Sequence, residues 1–110
     1  MSWLGSSLED LRGFPDDARR AAGYQLGLVQ QGLLPTDWKP MTTVGPGVIE
    51  IRVHTRLEHR LLYVAKFEEA VYVLHAFEKR TRQTPQPEIA LAQKRLANLI
   101  RRRARKPGAQ

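Results

Sequence analysis

The chain has 110 residues, 26% of them charged, with a net charge of +7, a pI near 10.4 and no cysteine. That length supports one domain with a modest core, and the absence of cysteine excludes disulfides and thiolate metal sites and points to a reducing cytoplasm. No apolar run approaches the roughly 20 residues of a membrane span, and the opening MSWLGSSLEDLR lacks the charged flank and apolar stretch of a signal peptide.

In chain order, SSLE (Ser6 to Glu9) has the spacing of a capping box and predicts a short helix over 7–12. FPDDARRAAGYQLGLVQQG predicts a longer one. Pro15 suits a first turn, Asp16 and Asp17 favour the positive end of the helix dipole, and Gly32 is a stop. Ala18, Ala21, Ala22, Leu28 and Val29 recur at helical spacing, while Gly23 and Gly27 lower the propensity, so packing must hold this helix. Residues 35–47 read as a linker of Pro, Gly and Thr, with Trp38 laid over the core.

Three strands follow. VIEIRVH (48–54) alternates, with Ile49, Ile51 and Val53 on one face and Glu50, Arg52 and His54 on the other. RLLYVAKF (60–67) and VYVLHAF (71–77) are joined to their neighbours by short turns, which implies an antiparallel meander. The last of the three is nearly all apolar and reads as central, covered on both faces. A final helix over about 86–103 carries the stripe Ile89, Ala92, Leu96, Leu99 and Ile100. Residues 101–110 read as a basic tail without fixed structure. The fold class is α+β in one domain, 1–110: N-terminal helices on an antiparallel sheet, then a C-terminal helix.

The charge is uneven. Residues 1–50 hold four basic and six acidic residues, a net of −2; residues 51–110 hold fourteen basic and five acidic, a net of +9. Such concentration is the footprint of a polyanionic partner, nucleic acid or an acidic protein. On a regular pleat Val71, Val73, His75, Phe77 and Lys79 share one face. If that face meets the polar face of the first strand, Arg52, His75 and Lys79 gather on one surface. Arg60 and Tyr63 fall on opposite faces of a regular strand, so a bulge intervenes or only one takes part. Such a surface suits metal-free RNA cleavage, in which a 2′-hydroxyl attacks the adjacent phosphate. Cations stabilise the developing charge and His, Tyr or a depressed Lys carry protons. Phe77 could stack a base.

The plain alternatives are a core histidine at 75, a core ring at 77, a solvated turn at Lys79 and Arg80, and an Arg52 paired with Glu50. His54 and His59 fall at a loop and carry no signal. No metal-ligand spacing, phosphate loop, Ser/His/Asp grouping or paired carboxylates occur in the sequence.

GVIEIRV (47–53), YVAKFEEAVYVLHAFEKRTRQTP (63–85) and EIALAQKR (88–95) together resemble the phage-derived Gp49-like, HigB-type branch of the RelE/ParE toxin superfamily. The matching positions are Glu50 and Arg52; Leu74 to Phe77, Lys79, Arg80, Thr81, Thr84 and Pro85; and Glu88, Ile89, Ala92 and Arg95. The resemblance implies a RelE-like fold and the toxin of a type II toxin–antitoxin system. It implies a ribosome-dependent endoribonuclease that cuts mRNA, needs no cofactor or metal, acts in the cytoplasm, and is neutralised by a helix-turn-helix antitoxin. It carries over His75, Lys79, Arg52, Arg60 and Tyr63 as catalytic candidates, and Arg80, Arg82, Phe77 and Lys66 as RNA contacts. Two departures are visible: only MSWL precedes GSS where a full strand is usual, and the loop HTRLEH lacks a glycine. The alternatives are a ParE-like toxin acting on a protein such as gyrase, and a non-catalytic nucleic-acid-binding regulator.

Overall fold

The computed structural model describes residues 1–105. The order is β1 (Ser2–Trp3), α1 (Ser7–Arg12), α2 (Asp16–Gln30), β2 (Trp38–Pro40), β3 (Val48–His54), β4 (Glu58–Val64), β5 (Tyr72–Glu78) and α3 (Gln86–Arg105). All five strands form one sheet in the order β1-β5-β4-β3-β2. The α+β class expected from the sequence holds, and the arrangement is consistent with a RelE-like fold. The expected meander is β3-β4-β5, antiparallel throughout. The sheet as a whole is mixed, because β1 runs parallel to β5. The middle strand is β4, not β5, although β5 is also buried along most of its length.

The two N-terminal helices obey local rules with one exception. α2 begins directly after Pro15 and ends in a Schellman turn, in which Leu33 N–H donates to the Leu28 carbonyl at 2.9 Å and Gly32 N–H to that of Val29 at 3.0 Å. Gly32 has φ +83°, a conformation costly for any side chain. The capping box at α1 does not form. Ser6 Oγ donates to the Asp10 carboxylate at 2.8 Å and accepts from Arg95 at 3.0 Å, so the hydroxyl is taken by side chains rather than by a free backbone N–H.

The sheet separates two apolar layers. On one side Leu11, Phe14, Ala18, Ala22, Leu26 and Val29 pack on Ile51, Val53, Leu61, Tyr63, Val73 and Ala76. Leu26, not Leu28, supplies the buried leucine of α2. On the other side Val48, Leu62, Val64, Leu74 and Phe77 meet Ala92, Leu96 and Leu99 of α3. Ile100 lies off this stripe and is exposed. Five residues of the expected tail, Arg101 to Arg105, continue α3; the remainder lies outside the described residues.

One irregularity decides where the site residues point. β4 pairs Leu62 with His75 but Tyr63 with Val73, which leaves Leu74 without a partner. This bulge breaks the expected alternation of β5. Val73 faces α2, whereas Leu74, His75 and Phe77 all lie on the α3 side.

Candidate functional site

The alternation of β3 turns Glu50 and Arg52 toward the α3 side of the sheet. The β3–β4 register sets Arg52 opposite Arg60, and the β2–β3 register sets Glu50 opposite Lys39. Glu50 is 1% exposed, deep enough that an unpaired carboxylate there would be costly. Its Oε1 lies 3.5 Å from Arg52 Nε, 3.8 Å from Arg60 Nε and 3.9 Å from Lys39 Nζ. Its Oε2 accepts from Thr84 Oγ1 at 3.4 Å. A single buried anion thus organises cations drawn from β2, β3 and β4. The guanidinium Nε atoms of Arg52 and Arg60 are buried and make no hydrogen bond, so the cations are attracted to Glu50 without being saturated by it.

Lys79 enters this group from the end of β5. Its N–H donates to the Glu58 carbonyl at 2.8 Å, which extends the strand pairing by one residue, and its Nζ donates to the Arg82 carbonyl at 2.7 Å. Burial, and next the positive charge of Arg60, hold the ammonium below the ordinary 10.5. Lys39, Lys79, Thr81, Arg82, Thr84 and Ile89 line an open cleft of about 890 Å³, to which Arg52 and Arg60 are joined through Glu50. A concave surface with several cations and hydroxyls, and one lysine of lowered basicity, can hold a phosphodiester and accept a proton beside it.

Several expected residues lie elsewhere. His75 does not line this cleft. Leu62 lies between it and Glu50 across the sheet, a Cα separation of about 10 Å at ordinary strand spacing. Its Nε2 meets Glu88 Oε1 at 2.8 Å, its ring stacks on Phe77 at 4.9 Å, and it is 4% exposed. Phe77 is itself core, so its ring offers no open platform for a base. Tyr63 is turned the other way, into the α2 layer, where burial pushes its phenol up to about 12. Lys66 lies beyond the opposite end of β4, with Nζ donating to the Pro46 carbonyl at 3.1 Å. Arg80 is exposed and pairs with Glu78 at 2.8 Å rather than entering the cleft; Arg82 does line it.

A second polar cluster braces the sheet end beside the cations. His54 Nε2 meets Asp37 Oδ2 at 2.5 Å and its Nδ1 meets Glu58 Oε1 at 2.7 Å; Arg60 Nη1 also donates to Glu58 Oε1, at 3.0 Å. Glu58, then Asp37, raise the imidazole above its ordinary 6.5, and His54 in turn lowers Glu58 below 4.5. A raised histidine stabilises fully below about 6.5 and loses that contribution as pH rises through its folded value. The lowered Glu58 contributes above about 4.5 and is lost as pH falls. His54→Gln is therefore expected to cost most near pH 5.5 and least above pH 8. The cost is about 0.5 kcal/mol, kept small by solvent screening at this exposed position. Urea unfolding of both proteins at the two pH values checks this; an equal cost at both would exclude the ion pair. His59, expected in a loop with His54, is instead buried in β4 against Phe14, and burial lowers it below 6.5.

Lys39 is absent from the site expected from the sequence, and Glu50 and Thr84 enter there as positions of the family pattern without a role in the cluster. Lys39 falls within a Pro- and Gly-rich stretch that reads as linker. The available signal was Glu50 itself, an acid between β-branched residues whose burial demands cations nearby. No helix among the described residues is long and apolar enough to cross a membrane.

No curated protein matches the chain. The model of the family described as Phage derived protein Gp49-like (DUF891) matches residues 9–97, which include every residue of the Glu50 cluster and the cleft. The chain belongs to the Gp49-like family.

Proposed function

We propose that this protein is the toxin of a type II toxin–antitoxin pair, acting in the cytoplasm as an endoribonuclease on ribosome-bound mRNA and held in check by a cognate antitoxin. Membership of the Gp49-like family is compatible with a toxin of this kind. The observation that carries the enzymatic part is the convergence of Lys39, Arg52, Arg60 and Lys79 around one buried carboxylate beside an open cleft. In this reading Lys39, Arg52 and Arg60 hold the scissile phosphate and stabilise its added negative charge. Lys79, in its neutral form, takes the 2′-hydroxyl proton. The 2′-oxygen then bonds to phosphorus, the bond from phosphorus to the 5′-oxygen breaks, and that oxygen takes up a proton from water, while Lys79 later returns its proton to solvent. The products are a 2′,3′-cyclic phosphate and a free 5′-hydroxyl.

Tightly induced expression, followed by mapping of mRNA 5′ ends, tests this. New 5′-hydroxyl ends within translated codons, with growth arrest, are expected. Arrest with intact mRNA would replace this reading with a protein target, and no arrest would replace it with a binding role.

A further inference from the structure

We infer that the outward face of α3 is a second RNA-docking surface, which grips the backbone of folded RNA while the cleft takes a single strand. The inference rests on the reading that RNA is the substrate, but it is carried by a different part of the molecule. At about 100° per residue, Lys94, Asn98, Arg101 and Arg105 fall within about 60° of one another on the helix. They lie opposite the buried Ala92, Leu96 and Leu99, and all four are exposed. Lys94 to Arg105 covers about 16 Å at 1.5 Å per residue.

Among the described residues the charge on this face meets no acid, although Arg101 Nη2 donates to Asn98 Oδ1 within the row. Glu88 is the helix's one acid and is taken by His75. Two other cations are committed elsewhere: Arg95 to the Leu74 carbonyl at 2.8 Å and to Ser6 at 3.0 Å, and Arg103 to Glu69 at 2.6 Å and to the ring of Phe67. Among the described residues Lys94, Arg101, Arg102 and Arg105 face no carboxylate. Like charges at Arg101 and Arg105, four residues apart, repel. The helix dipole favours cations only within its last turn, which leaves Lys94 unexplained.

The row fits a repeating anion. Each strand of a nucleic-acid duplex carries one phosphate per about 3.4 Å of duplex axis, so a row of about 16 Å faces several of them. Folded RNA is gripped mainly through such backbone contacts, and Asn98 adds an amide of the kind that reads a 2′-hydroxyl. A lipid surface is disfavoured, because a membrane-surface helix needs a free apolar face and that of α3 is spent on the core. The same helix reaches the cleft at its first turns, through Gln86 and Ile89, so one rigid rod of about 30 Å joins the two surfaces.

The test uses the full chain and two labelled probes, a 16-base-pair RNA hairpin and a single-stranded RNA decamer, by fluorescence anisotropy from 50 to 200 mM salt. The triple variant Lys94→Gln, Arg101→Gln, Arg105→Gln is compared with the unsubstituted protein, its fold checked by circular dichroism. Hairpin affinity should fall tenfold or more, with the slope of log K against log salt shallower by about two to three. Decamer affinity should be unchanged. An unchanged hairpin slope, an equal loss for both probes, failure of the unsubstituted protein to bind the hairpin at 50 mM, or equally charge-dependent binding to phosphatidylserine vesicles or to an acidic peptide would each overturn the inference. Failure of mRNA cleavage would not alter these binding curves, so the two readings fail separately.

Discussion

Lys79→Ala is expected to lower the single-turnover rate of mRNA cleavage by about 10²–10³-fold, with unfolding changed by less than about 1 kcal/mol. The lysine sits where strand pairing ends, so its backbone is fixed by the bond to Glu58, while its ammonium donates to the Arg82 carbonyl. Truncation removes a charge and a proton carrier without opening the core. The conservative variant tells the two roles apart. Arginine keeps the charge but does not titrate in the accessible range. If neutral Lys79 is the base, the rate of the unsubstituted protein rises with pH and levels off at a value below the ordinary 10.5, the direction in which burial moves it. Lys79→Arg should then be as slow as Lys79→Ala, with a flattened profile. A Lys79→Arg protein of near-normal rate would assign the residue to charge stabilisation alone. A Lys79→Ala protein of near-normal rate would remove the cleft from the mechanism.

The largest expected loss of stability comes from Glu50→Ala, about 3–5 kcal/mol. With Glu58, which takes Arg60 Nη1 at 3.0 Å, the carboxylate compensates the charge of Arg60, whose side chain is 8% exposed. Without it, Lys39 and Arg52 lose the carboxylate they share with Arg60, and Arg60 is left with the partly exposed Glu58. Removing one partner of a buried charge group costs far more than the group contributes as a whole. Thermal and urea unfolding should show the loss, and Glu50→Gln should fall only partly short of it, since the amide can still accept from Thr84. The variant should also regain more stability from added sulfate than the parent does at matched ionic strength, because an anion can take the vacated place. A loss under 1 kcal/mol, or equal responses to sulfate, would mean that the carboxylate does not organise the cluster.

What the sequence disclosed follows from how the constraints are written. β3 was legible to the residue because Ile49, Ile51 and Val53 alternate with Glu50 and Arg52, a period that only a half-buried strand produces. α2 and the start of α3 were legible through Pro15, Gly32 and the prolines at 85 and 87, and α1 over 7–12 through SSLE, although the capping box that suggested it does not form. The Leu74 bulge was not, since one extra residue in an apolar run leaves no trace in composition yet turns every later side chain over. That is why His75 and Phe77 were placed correctly with respect to each other but wrongly with respect to Val73. Of the expected site, Arg52, Arg60, Lys79 and Arg82 converge; Tyr63 does not, as the alternation of a regular strand allowed. Lys66 is held at the far end of β4, His75 and Phe77 in the α3 layer, and Arg80 by Glu78. Lys39 was hidden for a tertiary reason: three residues become a strand only because β3 offers an edge to pair with.

The first strand has a temporal consequence. Ser2 N–H reaches the Val71 carbonyl at 2.8 Å and Leu4 N–H that of Val73 at 3.0 Å, so the strand pairing at the start of the chain is made with residues some seventy positions later. Closing a loop of that length costs about 4 kcal/mol of chain entropy before any contact repays it. The opening residues are therefore the last to settle when the polypeptide is made and the first to come loose when it is strained. Since β5 also delivers Lys79, a chain that has not yet reached this strand lacks both the cleft and the edge that receives β1.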